Sequence, residues 1–133
     1  MTRDVRPWRI AAAAVTAVIV VFGVLPTHET LQAVAGEGEG MATVVGHFLE
    51  YLVLGLVLTL ALRSEPPRLP VMLVAGLLCV GLGVAIELIQ LALPYRSAQM
   101  SDVAVNAAGA AVGLLLVRLA GRTGARRSRW RPG

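Results

Sequence analysis

The chain contains no lysine, a single cysteine and very little charge, with Asp, Glu, Lys and Arg together making up 15% of 133 residues. With Cys79 alone, no intrachain disulfide can form, and cysteine usage says nothing about the redox compartment. Charge this sparse, beside 56% hydrophobic residues and a mean hydropathy of +0.73, excludes an ordinary soluble domain of this size. The missing lysine leaves all positive side-chain charge to twelve arginines, a bias that fits a GC-rich coding sequence better than a chemical requirement. The length allows one domain and no second. What is present instead is a series of apolar runs near the roughly 20 residues needed to cross a bilayer.

In order, residues 1–9 form a basic lead with an interfacial Pro7-Trp8 pair, and Ile10 to Leu25 is an apolar run closed by Pro26. Ala33-Val34-Ala35 matches a signal-peptide cleavage pattern, but the run is long for such a peptide and the site lies far beyond it, so cleavage is left open. Thr27 to Ala42 carries Glu29, Glu37, Glu39 and the glycines of GEGEG, which suggests an exposed connection. Thr43 to Leu62 is the second span, Arg63 to Pro70 a tight turn, and Val71 to Leu93 the third span. After a short polar loop, Asp102 occupies the expected N-cap of a fourth span over Val103 to Leu119. Residues 120–133 read as an irregular arginine-rich tail, a topology signal and headgroup anchor rather than a nucleic-acid surface. The expected fold is therefore all-α: a polytopic, antiparallel bundle of four transmembrane helices over residues 10–119.

Arginine placement orients it. The lead, the 63–70 turn and the chain from Arg118 onward hold eleven of the twelve arginines, and the other two loops share only Arg96. The positive-inside rule then places both termini in the cytoplasm and the 26–42 and 94–102 loops outside.

Polar residues inside the spans fall at matching depths. Glu50 lies about 10 Å from the outer end of the second span, Glu87 about 9 Å from that of the third, and Asn106 one turn into the fourth. His47, Glu50, Tyr51 and Leu54 share a helical face, as do Glu87 and Gln90. Asp102, Asn106, Gly109 and Gly113 continue another, and the glycines form a small-x-x-x-small stripe suited to close helix packing. These residues are expected to close an outward-facing polar pocket between the second, third and fourth helices.

The same residues resemble the VanZ-like membrane proteins. His47-Phe48, Tyr51 and Gly55 match in the second span, and Glu87-x2-Gln90-x5-Arg96-x5-Asp102-x3-Asn106-x2-Gly109-x3-Gly113 matches more specifically. Thr43 and Val44 stand where many members carry an Asp-Lys pair. The resemblance, over His47 to Gly113, implies a multi-pass protein of a bacterial cell membrane, related to one associated with resistance to teicoplanin-type glycopeptide antibiotics. It does not imply a particular reaction.

Each polar residue also has a plainer reading. His47 could be satisfied by a backbone carbonyl, Glu50 and Glu87 could form a structural network with Arg96, and Asp102 could serve only as a cap. Ionisable groups at membrane depth are nevertheless costly, and that favours a functional site. Arg96 could clamp a phosphate or carboxylate. Three functions fit, in descending order. The first is a binding or resistance-accessory protein for an envelope lipid, cell-wall precursor or lipoglycopeptide. Next comes a membrane-embedded enzyme using Glu50 and Glu87 in acid–base chemistry on a lipid-linked anionic substrate, and last a small dimeric transporter. No cofactor, metal or nucleic-acid partner is expected, and a homo-oligomer is left open.

Overall fold

The computed structural model describes residues 4–25, 39–62, 68–95 and 98–128. Arg96, Glu29, Glu37, Arg63 and the Ala33-Val34-Ala35 sequence fall outside them. Among the described residues there are four helices and no strand: α1 (Arg6–Val24), α2 (Glu39–Leu62), α3 (Leu69–Gln90) and α4 (Met100–Ser128). Each contains a stretch long and apolar enough to cross a membrane. The 19 residues of α1, the shortest, cover about 28 Å, close to the hydrocarbon thickness.

Local chemistry explains several helix ends. Pro7 and Pro70 sit in the first turns of α1 and α3, where a missing N–H leaves no helical bond unmade. Asp4 Oδ1 accepts the Arg6 N–H at 2.9 Å and tightens the entry to α1. Beyond Gln90, the Ala92 N–H donates to the Ile89 carbonyl and the Leu93 N–H to the Gln90 carbonyl, a tightened final turn ahead of Pro94.

In the bundle, α2 is the central helix. It packs along α4, against α1 and, less extensively, against α3, while α4 packs on α3 and α1 touches α3 lightly. Ile19, Tyr51, Leu54, Cys79, Ile86 and Ala110 form one buried cluster, and Ala12, Val57 and Ala61 a second. Large apolar side chains such as Ile10, Leu73, Leu77, Leu88 and Leu115 point outward. Exposed leucines on every side would be a liability in water and are the expected surface in lipid.

The α2–α4 seam rests on glycine. A Cβ at Gly109 would overlap the Phe48 carbonyl oxygen, and one at Gly113 would overlap that of Leu52. From the other side, a Cβ at Gly55 would come within 2.6 Å of the Ala110 carbonyl oxygen. Three missing side chains therefore let the two backbones touch, and the glycine Cα–H groups are aimed at carbonyls across the seam. The stripe faces α2 rather than α2 and α3 together; α3 meets α4 through Leu114, near Gly76.

Several boundaries differ from expectation. The GEGEG stretch does not stay irregular to Ala42, because α2 already begins at Glu39. Asp102 is not the N-cap of α4: the helix starts at Met100, so Asp102 is its third residue and Gln99 precedes it. The tail does not turn irregular after its first turn either. Carrying Arg122, Arg126 and Arg127, good helix formers, it continues α4 to Ser128 through Gly121 and Gly124, and the apolar part ends at Arg122.

A polar cleft at one end of the bundle

Four helix ends converge on one cleft: the C-terminal ends of α1 and α3 and the N-terminal halves of α2 and α4. Its cavity is about 60 Å³, enough for a few waters or one small polar group. His47, Glu50, Tyr51, Glu87, Gln90 and Asn106 line it, with Ile19, Phe22, Gly23 and Ile86 as apolar wall. Six of the eight pocket residues expected from the sequence thus share one cavity. Asp102 joins through His47, and Arg96 lies outside the described residues.

His47 stands between two carboxylates. Its Nδ1 is 4.0 Å from Glu50 Oε2 one turn along α2, and its Nε2 is 3.8 Å from Asp102 Oδ2 on α4. These separations are too long for direct hydrogen bonds. Asp102 Oδ1 also lies 3.4 Å from the Ser101 hydroxyl, which donates to it.

Glu87 is only 5% exposed, yet it has a defined partner. Its Oε2 accepts the Gln99 N–H at 2.8 Å, at the residue just before α4. In a capping box, a side chain from inside the helix reaches back to this N–H; here a carboxylate from α3 does so. The position also suits negative charge, because the N-terminal end of a helix carries partial positive charge. Gln90, one turn further, donates from Nε2 to the Gly23 carbonyl at 2.8 Å, and the Tyr95 hydroxyl donates to the Val24 carbonyl at 3.2 Å. Both acceptors are carbonyls at the C-terminal end of α1, where helical partners run out.

Tyr51 and Asn106 differ from these. Tyr51 is 1% exposed and Asn106 4%, and among the described residues neither the Tyr51 hydroxyl nor Asn106 Oδ1 has a hydrogen-bond partner. They meet over Gly83, where a Cβ would lie 3.3 Å from Asn106 Nδ2 and 3.4 Å from the Tyr51 hydroxyl. The absent side chain at Gly83 leaves both groups room at the cleft. Among the described residues, no group of three or more His, Cys, Asp or Glu is placed to hold a metal ion.

Sequence reasoning missed the α1 wall, the Gln99 partner of Glu87 and the role of Gly83. The spacing of Ile19, Phe22 and Gly23 marks one face of an uncharged span, and Gly83 lies one turn before Glu87 on the same face. Both were available as signals.

Four apolar helices around a shared polar end define a small multi-pass helical membrane protein. A family model described as VanZ/LLP1 matches residues 18–121, and the chain belongs to that family. No curated protein and no solved structure matches the chain.

Proposed function

We propose that this protein is a binding protein of the bacterial cytoplasmic membrane. In this reading its cleft receives the polar head of an envelope lipid or lipid-linked cell-wall precursor, as an accessory to glycopeptide-type antibiotic resistance. The observation that carries the reading is the pair of enclosed, unpartnered groups, the Tyr51 hydroxyl and Asn106 Oδ1. A polar atom removed from water without a partner is costly. Two such atoms in one cavity are satisfied together when a polar group enters. Arginine asymmetry turns the cleft outward, where such heads are displayed.

The test is native mass spectrometry of the full chain extracted in mild detergent. About one retained lipid per chain is expected, and retention should fall in Tyr51→Phe and in Asn106→Leu. A chain that carries no lipid, or carries it equally in both variants, removes the proposal. His47 between Glu50 and Asp102 favours the acid–base enzyme as second reading. Turnover of an added lipid-linked substrate, abolished by His47→Ala, would establish that instead.

A further inference from the structure

Charge and hydrogen-bonding capacity in the cleft narrow the ligand, given the reading of this cavity as a ligand site. Glu50 and Glu87 line it and Asp102 lies against His47, so among the described residues two carboxylates flank the imidazole and a third lines the same cavity. With all three carboxylates ionised and His47 protonated, the formal balance among the described residues is 3 − 1 = 2 negative charges, with Arg96 lying outside them. Two donors beside the cleft are already committed: Gln90 Nε2 to the Gly23 carbonyl and the Gln99 N–H to Glu87. Among the described residues, the enclosed atoms left open are an acceptor, Asn106 Oδ1, and a hydroxyl that can accept or donate, that of Tyr51, with the Asn106 Nδ2 group and the His47 ring beside them. An anionic phosphate, which only accepts, would meet like charge from the carboxylates and leave Asn106 Oδ1 unsatisfied.

We infer that the group entering this cleft is a primary ammonium, the head of an aminophospholipid or a free small amine. An –NH₃⁺ carries three donors and no acceptor, and Asn106 Oδ1, the Tyr51 oxygen and one carboxylate form a complementary set. A cavity of about 60 Å³ suits one such head, and an incoming cation offsets the buried negative charge. A quaternary trimethylammonium has no N–H to offer Asn106 and is bulkier. The attached phosphate would remain outside the cleft.

Delipidated full-length protein in detergent is offered dihexanoyl phosphatidylethanolamine, phosphatidylcholine or phosphatidylglycerol, with binding read by native mass spectrometry. Phosphatidylethanolamine should bind at least about tenfold tighter than the other two, the worth of one charge-assisted hydrogen bond. Glu87→Gln keeps an acceptor for Gln99 and should reduce that preference towards parity. Glu50→Gln, at a more exposed carboxylate, serves if Glu87→Gln does not fold, and Asn106→Asp should keep or raise the preference. Competition by free ethanolamine would identify a soluble amine as sufficient, and its failure to compete would require a lipid-borne amine. Phosphatidylglycerol binding as tightly as phosphatidylethanolamine, yet lost in Tyr51→Phe, overturns the ammonium while leaving the lipid-binding proposal standing. Binding of none of the three removes both.

Discussion

Replacing Tyr51 by phenylalanine removes one oxygen from the most enclosed polar position of the cleft and leaves the ring packed. Tyr51 is 1% exposed, and its ring belongs to the cluster containing Leu54, Cys79 and Ile86. For a hydroxyl with an internal partner, Tyr51→Phe would cost about 1 kcal/mol. This hydroxyl has no such partner, and an unsatisfied buried polar group carries a penalty of about 1–3 kcal/mol. The lipid-free variant should therefore be more stable than the parent by about 1 kcal/mol, which raises the melting temperature by roughly 2–6 °C. Lipid retention should move the other way, falling about tenfold with the loss of one hydrogen bond to the bound head. The assay is a pair of thermal melts in detergent, before and after delipidation, with native mass spectrometry on the same samples. Opposite signs for stability and retention identify the hydroxyl as held for a ligand. A delipidated Tyr51→Phe that melts below the parent would refute the reasoning, because the hydroxyl would then be supporting the fold.

The remaining expectations concern the scaffold around the cleft. Gly113→Ala should melt below Gly81→Ala by the equivalent of about 1–3 kcal/mol, because the new methyl at Gly113 meets α2 backbone while that at Gly81 meets nothing within 4 Å. Equal melts would count against the close seam. Glu87→Ala should cost about 1–3 kcal/mol by leaving the Gln99 N–H unpaired, and Glu87→Gln distinctly less; indistinguishable melts for the two would show that the bond carries no weight. Gln90→Leu should raise hydrogen exchange near Val24 and Leu25 while the α2–α4 seam stays protected, and unchanged exchange there would mean that Gln90 does not secure α1. In a Cys79→Ala background, Gln99→Cys should react with an impermeant maleimide from outside intact cells and Asp4→Cys only after permeabilisation. The reverse pattern would invert the proposed orientation.

Much of the architecture was legible because a bilayer imposes simple rules on length and charge. Apolar runs between prolines and arginine-rich turns located four spans, and residue counts from their ends placed Glu50, Glu87 and Asn106 at one depth. Periodicity could not supply partners that come from another helix. The N-terminal start of α4 is the clearest case. Asp102 has the side chain of a local cap, so a reading confined to neighbouring residues starts the helix after it. The structure starts the helix at Met100 because Glu87, twelve residues back, accepts the Gln99 N–H. The α1 wall was overlooked for a related reason: no charged residue between Ile10 and Leu25 singles out the face that carries Ile19, Phe22 and Gly23. It joins the cleft through the Ile19 and Phe22 side chains and through the Gly23 and Val24 carbonyls, which any sequence could offer.

The glycine seam has a genetic consequence. When a core side chain is enlarged, a neighbouring side chain can often be reduced to compensate, and second-site suppressors arise that way. At Gly109 and Gly113 the neighbours are the carbonyl oxygens of Phe48 and Leu52, and every amino acid carries that same oxygen. No exchange of Phe48 or Leu52 can create the missing space. Suppressors of Gly109→Ala or Gly113→Ala should therefore be absent from the facing residues, and should arise, if at all, at positions that let α2 slide or tilt as a whole.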